Sequence, residues 1–217
     1  MLPVTERYAK PVLPVDGRPV VVTLLHELAR AGVEDAYVVT GHLAEQVEAL
    51  LAGGRAAFGV ETAFVRQPSP DGSADTVTRA LAAGARPPLV VTAADTVYSP
   101  GDVGHFLAAA KGDGAIAVRR DPPPGPGRPA VEIEAGRIVR VIAAGGELSA
   151  APLWLIGERL AEHLAGLPGP PFELAELFQR GIDAGLEIAA VEIGKTRDLT
   201  TAVDLVEENF PYLTSLT

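Results

Sequence analysis

The sequence predicts an α/β fold that is doubly wound, with a mostly parallel sheet sandwiched by helices. Short apolar segments alternate with amphipathic segments of about ten residues, an order typical of parallel strands connected by helices. Glycines follow several amphipathic segments, where they favour helix ends. A chain of 217 residues is long enough for one complete core. We therefore expect residues 1–217 to form a single domain.

The spacing of apolar residues places the elements of the first half. It predicts helices over 19–31, 42–54, 73–84 and 100–112, and strands over 33–41, 60–65, 88–95 and 115–118. Pro19 favours the start of the first of these helices, because its fixed φ suits the first turn. Strand and helix thus alternate through the whole segment.

The pattern changes after residue 118. The stretch RRDPPPGPGRP has five prolines and two glycines and is predicted to be a loop. The stretch AVEIEAGRIVRVI predicts two strands joined by a turn at Ala135–Gly136, so we interpret 119–152 as a flap or hairpin insertion at a sheet edge. The remaining predicted elements are strands over 152–157 and 186–194 and helices over 158–165, 173–181 and 201–209.

Composition excludes several classes of function. A formal net charge of −10 argues against a broad nucleic-acid surface, because few counterions would be released from a phosphate backbone. The absence of cysteine excludes disulfides, thiol catalysis and cysteine metal sites. We find no apolar run of the ~18 residues that a membrane span needs, and no signal peptide. We expect a cytoplasmic protein.

Two aspartates stand at positions where ligand chemistry is expected. Asp95 follows the most apolar predicted strand, and ligands of open parallel sheets bind beyond the carboxyl ends of strands. A metal there would have oxygen ligands; a turn or helix cap at Asp95 is an equally good interpretation. Thr201 and Asp204 match a capping box, which leaves Asp198 outside it and free to be a ligand.

Several motifs in order resemble the sugar-1-phosphate nucleotidyltransferases over nearly the whole chain. They are LPVT at 2–5, AKPVLPV at 9–15, GRP at 17–19, RQPSPDGSADTV at 66–77, VTAAD at 91–95 and TRDLTTAVDL at 196–205. The resemblance implies a Rossmann-like nucleotidyltransferase fold. It also implies that Lys10 contacts phosphate and that Asp95 and Asp198 bind Mg²⁺.

The same resemblance implies the reaction and its partners. A sugar-1-phosphate would attack an NTP, giving an NDP-sugar and pyrophosphate, while the protein positions the groups and neutralises charge. Gln67, Gly72 and Ser73 correspond to the segment that contacts the nucleotide. The family resemblance is also consistent with a homo-oligomer.

The chain departs from the family pattern in two places. The strand and Gly-rich loop that precede the LPVT motif in the family have no counterpart in residues 1–217; either the coding sequence begins further upstream or this is a shortened, inactive relative. The lysine that holds the sugar phosphate is also absent, since no lysine lies between 112 and 194. Either Lys195 or Arg197 substitutes for it, or the two form a solvated pair near a helix start. Trp154 either lines the sugar pocket or belongs to the core. Arg119 and Arg120 are alternative phosphate contacts or simply an exposed pair.

Two other functions remain open from the sequence. The chain could transfer a nucleotide to a cofactor-precursor phosphate, of the molybdopterin or cobinamide type. It could also be a non-catalytic nucleotide-binding or regulatory homologue, which the lack of the Gly-rich loop favours.

Overall fold

The computed structural model describes residues 1–120, 129–142 and 147–210. Its α-helices are α1 (Val4–Arg7), α2 (Val20–Arg30), α3 (Ala44–Leu51), α4 (Gly54–Phe58), α5 (Ser73–Ala82), α6 (Asp102–Ala109), α7 (Glu158–Ala161), α8 (Leu174–Asp183) and α9 (Ala202–Asn209). Short 3-10 helices cover Lys10–Val12 and Glu162–Leu164. The strands are β1 (Pro14–Val15), β2 (Arg18–Pro19), β3 (Asp35–Thr40), β4 (Glu61–Arg66), β5 (Leu89–Thr92), β6 (Thr96–Val97), β7 (Gly114–Arg119), β8 (Ala130–Glu134), β9 (Arg137–Ile142), β10 (Ser149–Ile156), β11 (Ile188–Glu192) and β12 (Arg197–Asp198).

The largest sheet has six strands in the order β5-β10-β7-β11-β9-β8. Strand β11 pairs with β7 in parallel, whereas β10 is antiparallel to both β5 and β7. Strands β3 and β4 form a separate parallel pair with six residues in register on each strand. The α/β class is as predicted. The expectation of a mostly parallel sheet is corrected to a mixed one, because β10 returns directly from the hairpin and so enters the sheet in the opposite direction.

Apolar side chains cover both faces of the sheet. Along β7, Ala115 and Ala117 contribute to one buried cluster, together with residues of α2, α3 and α6. The alternate residues Ile116 and Val118 contribute to a second cluster with residues of α5, α7 and α8. All six residues of β7 are buried, which is typical of a central strand with helices on both faces.

Most of the predicted helices and strands are observed, with shifted bounds. The hairpin has its turn at Ala135–Gly136, and its two strands pair antiparallel. The expected single helix over 42–54 is two helices, α3 and α4. The predicted capping box at Thr201 and Asp204 is confirmed at the start of α9. Helix α1 was not predicted, because four residues are too few to show a helical period.

Both ends of the interpreted insertion 119–152 belong to the six-stranded sheet. Arg119 is the last residue of β7, and Ser149 lies opposite it in β10. Most of the predicted Pro-rich loop, residues 121–128, and the segment 143–146 lie outside the described residues.

A cavity of about 1710 Å³ separates β3 from β5. Val38 and Val90 line it from the two strands, and Leu24 and Val77 line it from the flanking helices α2 and α5. In the described parts of the chain, β3 pairs only with β4, and β5 pairs only with β10. Strands β3 and β5 are therefore not paired with each other in the described residues, and the cavity lies between them.

None of the helices in the described ranges is long and apolar enough to cross a membrane.

Candidate active site

A short antiparallel pair of strands brings the two predicted metal ligands to one place. In the β6–β12 ladder, Asp198 lies opposite Thr96, which directly follows Asp95 in the chain. Opposed Cα atoms in such a ladder are about 4.5–5.5 Å apart. Both aspartates line the cavity beyond the end of β5, so residues separated by a hundred positions share one edge of the sheet.

Lys10 joins the same edge from the N-terminal segment. Its Nζ lies 3.5 Å from Asp95 Oδ2. The backbone amide of Ala9 donates to Gln46 Oε1 in α3 at 2.9 Å, which anchors the segment beside the site. The Lys10 and Asp95 side chains are 38% and 30% exposed. An ion pair this exposed contributes little to stability, so stability does not explain why Lys10 faces Asp95 beside the cavity.

Arg119 is the second cation of the site. Its side chain is 1% exposed, and its Nη2 lies 3.6 Å from Asp198 Oδ2, a carboxylate that is itself 10% exposed. The sequence left open whether Arg119 and Arg120 contact phosphate or form an exposed pair, and exposure is wrong for Arg119. Arg120 is exposed and bound to Glu192 through Nε, 2.8 Å from Oε1. The two neighbours differ because Arg119 ends the buried strand β7, whereas Arg120 lies just beyond it.

Tyr98 lies beneath this cluster. Its hydroxyl donates to the Pro152 carbonyl at 2.8 Å and is 2.8 Å from the Thr92 hydroxyl. Burial raises the pKa of Tyr98, and the charges of Asp198 and Asp95 add to the increase. The Tyr98 phenol therefore stays neutral and ties β5 to β10 directly below the two carboxylates.

The donor set at this edge fits Mg²⁺. Among the described residues, no group of three or more His, Cys, Asp or Glu side chains could hold a metal ion by itself. Mg²⁺ is usually bound by one or two carboxylates and completes its octahedron with water and substrate phosphates. Asp95 and Asp198 supply that number of ligands, and the adjoining cavity leaves room for phosphates.

The predicted nucleotide-contacting residues lie together at the start of α5. Gln67 Nε2 donates to the Gly72 carbonyl at 3.2 Å and to Asp75 Oδ2 at 2.8 Å. Burial raises the pKa of Asp75, but its hydrogen bonds with Arg79 and Gln67 outweigh that effect and leave the pKa lowered. The ionised carboxylate thus fixes the Gln67 amide at the base of the loop.

Gly72 and Ser73 also hold a second segment in place. A Cβ at Gly72 would lie 2.3 Å from the Phe172 carbonyl oxygen, and the φ of Gly72 is +106°. Ser73 Oγ donates to Glu173 Oε2 at 2.6 Å and accepts from the Leu174 amide at 2.9 Å, so it caps α8. The close approach that a glycine permits here is made by the backbone of Phe172.

The three residues predicted for the sugar phosphate have different surroundings. Arg197 donates to Asp16 Oδ2 at 2.5 Å and to Glu208 Oε2 at 3.0 Å, and these acids raise the pKa of Arg197. Trp154 is buried and packs edge-on against Phe178, with ring centroids 4.9 Å apart, while also lining the cavity. The Lys195 carbonyl accepts from Ser99 Oγ at 2.9 Å.

A family model covers most of this chain. The model described as the MobA-like NTP transferase domain matches residues 5–184, a range that includes Lys10, Asp95 and Arg119. This chain belongs to the MobA-like NTP transferase domain family. It is therefore a member of a family of nucleotidyltransferase enzymes.

One curated relative of this MobA-like NTP transferase domain is named CMP-5'-(3-aminopropyl)phosphonate synthase, from Streptomyces rubellomurinus (strain ATCC 31215). The two are 35% identical over 142 residues, which are 65% of this chain and 21% of the relative. The matched part thus spans about a fifth of the relative's length.

Solved structures share the fold of this MobA-like NTP transferase domain. The inositol-1-phosphate CTP transferase from T. maritima has a TM-score of 0.79 at 16% identity, covering 93% of this chain and 84% of that chain. A Bacillus anthracis protein described as a glucose-1-phosphate thymidylyltransferase has a TM-score of 0.83 at 18% identity, covering 96% and 88%. A UDP-glucose pyrophosphorylase with bound UDP-glucose has a TM-score of 0.79 at 17% identity, covering 99% and 94%. At these identities the likeness is one of fold.

Arg119 is the residue of the site that sequence reasoning placed least well. The residue ends an apolar strand, AIAVR, whose other side chains are all buried. Alternate residues of a strand point to the same face, so the strand period places the Arg119 side chain on the face of Ala115 and Ala117. The available signal was the strand period, and the neighbouring Arg120 obscured it by suggesting a solvated pair.

Proposed function

We propose that this chain is a Mg²⁺-dependent enzyme that transfers a nucleotidyl group from an NTP to a phosphate oxygen of a small acceptor. The first of two proposed classes of acceptor is a sugar-1-phosphate. The observation that carries the proposal is that Asp95 and Asp198 line one end of the cavity, with Lys10 Nζ 3.5 Å from Asp95 Oδ2. Membership of the NTP transferase family supports the reaction type.

In the proposed step, an anionic acceptor oxygen forms a bond to the α-phosphorus of the NTP. The bond from that phosphorus to the β-phosphate oxygen breaks, and pyrophosphate leaves with the electron pair. No side chain has to act as a nucleophile, so the work of the protein is positioning and charge neutralisation. Mg²⁺, when bound, would neutralise charge that develops on the phosphate oxygens.

Each residue of the site has a role in this step. Asp95 and Asp198 would hold the metal through carboxylate oxygens. Lys10 would leave Asp95 to contact the transferred phosphate, because an exposed pair at 3.5 Å is held weakly and a lysine ammonium is a mobile point charge. Gln67 and Gly72, which are joined by a hydrogen bond, and Ser73, which lines the cavity, would contact the nucleotide.

A second acceptor class is supported by the curated relative. Its name indicates a product in which CMP is joined to an aminopropylphosphonate, and a phosphonate oxygen performs the same attack as a phosphate oxygen. Two features of this chain favour the smaller acceptor: Arg197 is bound to Asp16 and Glu208, and Trp154 is packed on Phe178. These side chains offer a sugar phosphate fewer contacts than the sequence suggested.

Pyrophosphate release tests the proposal. The protein would be incubated with each common NTP, Mg²⁺, and a sugar-1-phosphate, an alkylphosphonate or a cofactor-precursor phosphate, with EDTA-treated samples as controls. We expect release with one NTP and one acceptor class, abolished by EDTA and restored by excess Mg²⁺. Nucleotide binding without turnover of any pair would contradict the proposal and favour the non-catalytic nucleotide-binding homologue. Turnover of cofactor-precursor phosphates alone would contradict the acceptor assignment.

A further inference from the structure

The candidate metal site contains a fixed internal cation. Arg119 Nη2 lies 3.6 Å from Asp198 Oδ2, and the Arg119 side chain is 1% exposed. A charge buried this deeply is retained only with a partner close by. The position is set by a central strand, since β7 pairs with β10 on one side and β11 on the other.

The two cations of the site differ in their freedom to move. Lys10 faces Asp95 from the start of a short 3-10 helix near the N-terminus and is 38% exposed, so solvent can replace its contact. Arg119 reaches Asp198 from the end of a fully buried strand. Lys10 can therefore leave its carboxylate when a ligand arrives, whereas Arg119 stays beside Asp198.

The charge of Arg119 acts on any cation that approaches Asp198. Among Lys10, Asp95, Arg119 and Asp198, two positive charges face two negative charges. A divalent ion that enters alone is attracted by the carboxylates but repelled by the nearby guanidinium, and such repulsion is strong where water is excluded. The complex of a divalent metal ion with a nucleoside triphosphate carries a net negative charge, so the guanidinium attracts that complex instead.

We propose that Arg119 is a positioning residue whose fixed positive charge holds Asp198 in place and weakens the binding of free divalent cations. The site therefore selects the metal–nucleotide complex over the free cation. The inference rests on the proposed function, because it assumes that Asp95 and Asp198 bind the metal. The contact with Arg119 keeps the buried Asp198 carboxylate paired in the nucleotide-free enzyme.

The test measures Mn²⁺ binding to the nucleotide-free protein by electron paramagnetic resonance. We expect Arg119→Met to bind Mn²⁺ about tenfold or more tightly than the wild type, because the repulsion is removed. Arg119→Lys keeps the charge and should bind within about threefold of the wild type. A merely structural role would weaken Mn²⁺ binding or leave it unchanged. A folded Arg119→Met protein with either of those results overturns the inference.

A second pair of variants covers the case in which Arg119→Met does not fold. Asp198→Asn and the double variant Arg119→Met/Asp198→Asn both lack the carboxylate that needs a partner. Asp95 remains in each, so the double variant should bind Mn²⁺ several-fold more tightly than Asp198→Asn alone. Equal affinities overturn the inference.

The proposed function has a separate readout. Mn²⁺ binding in the presence of each common NTP should be weaker by about tenfold or more in Asp95→Asn and in Asp198→Asn than in the wild type. If both variants bind Mn²⁺ as tightly as the wild type, the metal assignment fails. If both bind it more weakly while removal of Arg119 leaves free Mn²⁺ binding unchanged, only the inference about Arg119 fails.

Discussion

Asp198 lies directly across the β6–β12 ladder from Thr96, so its carboxylate reaches the same edge of the sheet as that of Asp95. Each of these strands has only two residues. The ladder fixes the position of the C-terminal segment relative to the end of β5. A shift of the pairing by one residue would turn the Asp198 side chain away from the cavity. The geometry of the candidate metal site thus depends on one short pair of strands.

Replacement of either carboxylate should abolish metal-dependent turnover. We expect Asp95→Asn and Asp198→Asn to lower kcat by about a hundredfold or more, because each removes a proposed metal ligand while keeping the side-chain shape. Pyrophosphate release measures this effect. Asp35→Asn is the matched control: Asp35 begins β3, at the opposite end of that strand from the site edge, and is exposed. Wild-type rates in either site variant would refute the assignment.

Lys10→Met should lower kcat by about a hundredfold with little change in stability. The loss follows from removing a charge that contacts the transferred phosphate, while the exposed pair with Asp95 contributes little to folding. Kinetics and thermal unfolding measure the two quantities. Lys111→Met, at an exposed position after α6, is the control. A stability loss that accounts for the whole drop in activity would contradict a role in phosphate contact.

Gly72→Ala should destabilise the protein strongly. Its new Cβ would lie 2.3 Å from the Phe172 carbonyl oxygen, and neither backbone can move easily, so we expect a loss of about 3 kcal/mol in the free energy of unfolding. Gly32→Ala is the control, because Gly32 also has a positive φ, +84°, but has nothing within 4 Å of its added Cβ. That variant should lose about 1 kcal/mol. Equal urea midpoints for the two would mean that contact with Phe172 is not the constraint.

The capping box of α9 predicts an acid-sensitive contribution to stability. Burial alone raises the pKa of Asp204, but hydrogen bonds from Thr201 and from the Thr200 amide leave it lowered. An acid with a lowered folded-state pKa stabilises the fold above its unfolded pKa of about 3.9, and this contribution is lost as the pH falls through the lower folded value.

Asp204→Asn should therefore lower the free energy of unfolding by about 1 kcal/mol at pH 7. The difference from the wild type should shrink as the pH falls below about 4. Glu207→Gln, exposed on the same helix, is the control and should show no such trend. A difference between wild type and Asp204→Asn that stays constant down to pH 2.5 would argue against the ionised cap.

The local sequence pattern predicted most of the helices and strands, and the ordered motifs predicted three residues of the site. Apolar periodicity placed α2, α5, α8 and the hairpin of β8 and β9, because each has a clear period of its own. The ordered motifs pointed to Lys10, Asp95 and Asp198, and the structure brings these residues to one edge. Their roles stay predictions until turnover is measured.

The sequence by itself determined the α/β class and the capping box at Thr201, because these depend on residue type and short-range spacing. The assignment of the two carboxylates as metal ligands came from the family resemblance and stays a prediction. Only the tertiary structure decided the antiparallel direction of β10, the use of Gly72 for the approach of Phe172, and the burial of Arg119 beside Asp198. These three features depend on contacts between segments about 30 to 100 positions apart, which no local period encodes.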